Sequence, residues 1–153
     1  MIRAWRITNK RHADRAFTGE GAYLYGGRWN PPGYRVIYVS ASIALATLEI
    51  LVNGVPPSQF ADFVYIPVDL PDKGISDLPS GMLPSDWRKD PVPESTRRVG
   101  RKWIHAQKTL ALRVPSTVVP EEFNFLINPL HADYTKLEIG TPRSHAIDGR
   151  LLP

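Results

Sequence analysis

A chain of 153 residues is the size of one ordinary domain. With 42% hydrophobic and 22% charged residues it falls in the globular range, away from disordered polymers. It contains no cysteine, which excludes disulfide frameworks, thiolate zinc sites and cysteine nucleophiles and suits a reducing, cytoplasmic setting; the net charge of +4 is too dispersed to specify a polyanionic partner.

The amino-terminal stretch Met1 to Arg15 is basic and polar, without the hydrophobic region of a secretory signal. The most apolar window, Ile43 to Val52, is interrupted by Glu49 and falls short of the roughly 20 residues that cross a bilayer. Neither export nor membrane insertion is expected. One domain spanning 1–153 is the simplest division of the chain.

Fifteen prolines and eleven glycines cut the sequence into short segments, most of them strand-like, and the expected fold class is α+β. Arg3 to Thr8 is an opening strand, and Ala22 to Tyr25 leads into a turn at Gly26-Gly27. Val36 to Val39, β-branched and aromatic after Pro31-Pro32-Gly33, is a buried strand. Ser40 or Ser42 caps a helix over Ile43 to Val52 that stops near Asn53-Gly54. Apolar nearly all round, that helix is expected to pack on more than one side. Phe63 to Leu70 and Leu110 to Val114 are further strands; Pro71 to Pro93, with five prolines, is a long irregular loop. A short helix is expected over Trp103 to Lys108, weak alternation over Phe123 to Asn128, and a closing strand over Lys136 to Ile139.

Glu49 is the most informative side chain. At helical spacing its neighbours are Leu45, Ala46 and Val52, and a carboxylate kept on an apolar face is either ion-paired with an arginine or catalytic. Arg28 lies in Gly26-Gly27-Arg28-Trp29-Asn30, where glycines permit close backbone approach, Trp29 offers an aromatic wall and a guanidinium suits a diphosphate; a plain turn with an exposed arginine is the alternative. Ser116 follows a strand at Val114-Pro115, a common turn position with no GxSxG elbow around it. Neither GxGxxG nor GxxxxGK[ST] occurs. His12, His105, His131 and His145 have no metal-ligand spacing, so no metal is expected.

Together these segments resemble the RES domain, named for a shared arginine, glutamate and serine. The resemblance is carried by Phe17-Thr18-Gly19-Glu20-Gly21-Ala22, Gly26 to Asn30, Val36-Ile37-Tyr38, Leu48 to Val52, Leu83 to Trp87, Val114-Pro115-Ser116, Asn124 to Pro129 with His131, and Asp148 to Leu151. One departure is Val52-Asn53, where many relatives have Val-His. The resemblance implies an ADP-ribosyltransferase-like core of two short mixed sheets around an NAD cleft. It also implies a bacterial toxin held by an Xre-type antitoxin, through which alone it would meet DNA.

On this basis Arg28, Glu49 and Ser116 are the catalytic set, with Gly27, Trp29, Tyr38 and Asn128 at the substrate. Glu49 would stabilise positive charge on the ribose as the nicotinamide bond breaks, Arg28 would hold phosphate, Ser116 would bond the ribose or carboxamide, and Tyr38 would stack on or bond to nicotinamide. Water, phosphate or a protein are all possible acceptors. The rival classes are an RNA-cleaving toxin using the basic cluster at Arg97, Arg98, Arg101 and Lys102, and a non-catalytic partner-binding module.

Overall fold

The computed structural model describes residues 1–151. Its framework is a mixed sheet of eight strands: Ile2–Asn9 (β1), Ile37–Ser40 (β2), Phe63–Leu70 (β3), Ile75–Asp77 (β4), Ala111–Pro115 (β5), Phe123–Ile127 (β6), Glu138–Ile139 (β7) and Arg143–His145 (β8). The strand order is β4-β5-β6-β2-β1-β3-β7, with β8 also paired to β3. β4 and β5 run parallel, and the other pairs are antiparallel.

The expectation of two short sheets is met in modified form. β1 and β2 share one registered pair, Trp5 opposite Ser40, so a half-sheet of β4, β5, β6 and β2 joins one of β1, β3, β7 and β8 at a single point. Where the ladder is missing, the Arg6 guanidinium steps in, its Nη1 donating to the Tyr38 carbonyl at 2.9 Å. Burial draws Arg6 down to about 10.

Three helices cover the sheet: Glu20–Tyr25 (α1), Ile43–Val52 (α2) and Glu94–Ala106 (α3). α2 has the expected bounds, and Ser42 caps it by accepting from the Leu45 amide at 3.0 Å. Its packing differs from expectation. Leu45, Ala46 and Thr47 are buried, while Ala44, Leu48 and Val52, spaced four apart on one face, are exposed. An all-apolar helix here packs on one side and leaves the other open.

α3 begins nine residues before the expected Trp103. Its first half is polar, but Thr96, Gly100 and Ile104 form a buried stripe at helical spacing that packs Ile104 with Leu112, Val114 and Leu126 of the sheet. The expected loop over Pro71 to Pro93 is irregular apart from β4 and two short 3-10 turns. Only the end of Lys136 to Ile139 is extended, and β8 follows it. No described helix is long and apolar enough to cross a membrane.

Candidate active site

Glu49 lies on α2, which packs on β1 and β2, and its side chain reaches Asn124 on β6 and Ser116 just after β5. Its Oε1 accepts two hydrogen bonds, from Ser116 Oγ at 2.7 Å and from Asn124 Nδ2 at 2.6 Å. Asn124 is held in turn by Ser40, its register partner on β2, whose Oγ donates to Asn124 Oδ1 at 2.6 Å. Glu49 Oε2 has no hydrogen-bond partner among the described residues and is not enclosed. The carboxylate is therefore anchored through one oxygen and free through the other. No arginine or lysine reaches it within 4.0 Å among the described residues, so the structural ion pair is not what keeps it there.

Ser116 is fully buried. Its single proton goes to Glu49, and its oxygen accepts from the Val118 and Val119 amides at 3.0 and 3.1 Å. A hydroxyl with one donor and two acceptor positions is then saturated. The hydroxyl expected at the ribose or carboxamide is engaged here with Glu49 and two backbone amides.

Arg28 is half-buried, and its Nη1 donates to the carbonyls of Trp87 and Lys89 at 2.9 and 2.8 Å. The proline-rich loop supplies these carbonyls. The Nε–Nη2 edge has no partner among the described residues and is not enclosed, which leaves free the fork that binds phosphate or carboxylate bidentately. Partial burial lowers the Arg28 pKa, against the pull of Asp90, Glu49 and Tyr38. Arg28 and Glu49 thus sit in one electrostatic neighbourhood without forming a contact pair.

Tyr38 joins the Arg28 turn to the sheet. Its hydroxyl donates to Asn30 Oδ1 at 2.6 Å and accepts from the Trp29 amide at 3.1 Å, so its proton is not available to nicotinamide; the half-buried ring is what remains to offer a ligand. Burial pushes the phenol well above its ordinary pKa, with the Trp29 amide, then Arg97 and Arg28 pulling the other way. Gly27 is explained by the same contact: a Cβ there would lie 2.6 Å from Tyr38 Oη. The glycine admits the tyrosine.

Two expected substrate contacts are placed elsewhere. Trp29, 3% exposed, packs with Val36 and Ile104 in the core and presents no wall to a ligand. Asn128 is buried and caps a turn, its Oδ1 accepting from the Leu130 amide at 3.0 Å. It follows β6 at the end away from Asn124, about 13 Å along an extended strand. Asn124, in the same stretch of sequence, occupies the site instead, and the signal for it lies in strand register, opposite Ser40.

The basic cluster is split by α3. Arg97 turns toward the Arg28 turn, its Nε donating to the Gly27 carbonyl at 3.1 Å, whereas Arg98 and Lys102 are exposed. The four histidines bond separately, His12 to Arg15, His105 to Tyr34, His131 to the Asp133 amide and His145 to Thr47.

The mixed sheet, opened at one junction and carrying an anchored glutamate and a half-free arginine, has an ADP-ribosyltransferase-like fold. Its likeness to a chain of the M. tuberculosis MbcT-MbcA toxin–antitoxin complex has a TM-score of 0.77 at 18% identity, covering 94% of this chain and 84% of that one. Residues 3–147 match the RES domain. A protein of Yersinia enterocolitica named Toxin Res is 40% identical over 148 residues, covering 96% of this chain and 97% of the relative. One of Photorhabdus laumondii with the same name is 37% identical, over 97% and 96%. A Sphingobium protein named Prs ADP-ribosylating toxin is 33% identical, over 97% and 95%. The chain belongs to the RES domain family.

Proposed function

We propose that this RES-type toxin degrades NAD by cleaving its nicotinamide–ribose bond, with water or inorganic phosphate taking the ribose. The observation that carries the reading is the half-anchored Glu49: one oxygen is fixed by Ser116 and Asn124 and the other is free, within the electrostatic reach of an arginine with an open fork. Cleavage builds positive charge on the ribose, and a carboxylate already held in place stabilises that charge without reorganising. Arg28 holds phosphate oxygens and fixes the ribose relative to Glu49. Nicotinamide leaves as a neutral molecule, so the site needs no strong general acid.

A second reading keeps the same groups and transfers ADP-ribose to a protein. It is favoured by the relative named as an ADP-ribosylating toxin. In either case an antitoxin of the Xre type restrains the activity; the likeness to a chain of a toxin–antitoxin complex supports a partner of that kind.

The deciding experiment incubates purified protein with NAD, with and without phosphate, and separates the products. Free ADP-ribose or its 1″-phosphate supports degradation, and label from NAD on a protein band supports transfer. Intact NAD under all conditions would overturn both readings.

A further inference from the structure

Gly100 and Arg97 lie one turn apart on the same face of α3. A Cβ on Gly100 would fall inside the carbonyl oxygen of Trp29, so α3 presses directly on the Gly27-to-Asn30 turn at this point. Glycine in a helix interior is unfavourable relative to alanine, and close approach is what it permits here. The approach brings Arg97 to the turn that carries Arg28. Its Nε donates to the Gly27 carbonyl at 3.1 Å, and its Nη2 lies 3.0 Å from where a Cβ on Gly26 would stand.

Arg97 and Arg28 both act on the Tyr38 phenol, Arg97 the more strongly. Neither forms an ion pair within 4.0 Å among the described residues. Apart from its Nε, the Arg97 guanidinium has no hydrogen-bond partner among them and is not enclosed. Two guanidiniums attached to one turn, each with N–H groups left free, can each take one of two adjacent negative groups on a ligand.

We propose that Arg97 is a second phosphate-binding arginine of the site, which takes the diphosphate of a dinucleotide jointly with Arg28. The proposal rests on the NAD reading and deepens it. It removes Arg97 from the surface cluster and makes it a determinant of substrate class: ligands with a diphosphate are favoured over those with one phosphate or none.

The test compares the wild-type protein with Arg97→Gln, Arg97→Lys and, as a control on the exposed side of α3, Arg98→Gln. Each is titrated with ADP-ribose, inorganic phosphate and nicotinamide riboside, and each is assayed for NAD cleavage. Arg97→Gln is expected to weaken ADP-ribose binding about ten- to a hundredfold and to raise KM for NAD with kcat changed less than about threefold. Nicotinamide riboside, which has no phosphate, should bind equally to both forms. Arg97→Lys should recover part of the loss and Arg98→Gln should show none. A loss confined to inorganic phosphate would assign Arg97 to the acceptor and overturn the proposal. An equal loss for ADP-ribose and nicotinamide riboside, with a lower Tm, would make Arg97 a support for the turn and also overturn it. If the wild-type protein bound neither NAD nor ADP-ribose, the NAD reading itself would fail.

Discussion

Ser116 and Glu49, 67 residues apart in the chain, meet in a 2.7 Å hydrogen bond that takes the serine's only proton. The serine oxygen is meanwhile held by two backbone amides, so the hydroxyl transmits the rigidity of the turn after β5 to the carboxylate. Ser116→Ala removes that link and strips two amides of their acceptor. A stability loss of about 1–3 kcal/mol is expected from the unsatisfied amides, with kcat for NAD cleavage down about 10- to 100-fold and KM nearly unchanged. Thermal melting and steady-state kinetics measure both. A raised KM at unchanged kcat would show the serine to be a substrate ligand after all.

Glu49→Gln tests the carboxylate with little change in shape. The glutamine can still accept from Ser116 or Asn124 through its carbonyl oxygen, so folding should survive, but the negative charge next to the ribose is gone. Activity is expected to fall by at least about 10²–10³, with a Tm close to that of the wild type. Retention of NAD cleavage by a folded Glu49→Gln protein would remove the carboxylate from the chemistry.

Much of this site is legible along the chain, and what is not depends on register. The bounds of α2 follow from Ser42 and the Asn53-Gly54 stop, and Glu49 stands out as a charge among apolar neighbours at helical spacing. Arg28 stands out by its glycines, although Gly27 turns out to admit Tyr38 and not a ligand. Asn124 and Asn128 flank the same strand-like run, and no local pattern tells which end meets α2; pairing with Ser40 decides it. Arg97 appears in sequence as one of several neighbouring cations. Its difference from Arg98 is an angle around α3, fixed by a contact between Gly100 and Trp29, and the polar first half of α3 hid that helix's beginning.

Tyr38→Phe separates the ring from the hydroxyl. The substitution leaves the Trp29 amide and Asn30 Oδ1 without the group that joins them, and a loss of about 1–3 kcal/mol is expected. Because the turn carrying Arg28 loosens, KM for NAD should rise as well. Gly27→Ala should produce the same pair of effects from the other side, since its methyl would displace the tyrosine. Were Tyr38→Phe as stable as the wild type, the hydroxyl would have no role in holding the turn.

His145 gives the fold a pH-dependent element away from the site. Thr47 donates its proton to the Ile43 carbonyl at 2.8 Å, which leaves His145 Nε2 to donate to Thr47 Oγ1 at 3.0 Å. Burial lowers its pKa below the ordinary 6.5. The unfolded chain therefore takes up this proton more readily than the folded one, and the contribution of a neutral His145 to stability, full above the unfolded value, is lost as pH falls from there through the lower folded value. Tm measured at about pH 7.5 and about pH 5.5 for the wild type and His145→Gln should show a larger decrease for the wild type. Parallel decreases would place the acid sensitivity on other groups.

Gly100→Ala is the most demanding test of how the two sides of the site are joined. The added methyl cannot be accommodated without moving α3 away from the Trp29 carbonyl, because backbone, unlike the end of a flexible side chain, does not step aside. On an exposed helix face the same change would stabilise by about 1 kcal/mol through helix propensity; here overpacking is expected to reverse the sign and destabilise by about 1–3 kcal/mol. Displacement of α3 also draws Arg97 from the Gly27 carbonyl, so ADP-ribose affinity should fall in Gly100→Ala as it does in Arg97→Gln, and the double variant should lose little more than either single one. Additive losses would mean that α3 contributes to folding and Arg97 to binding by separate routes.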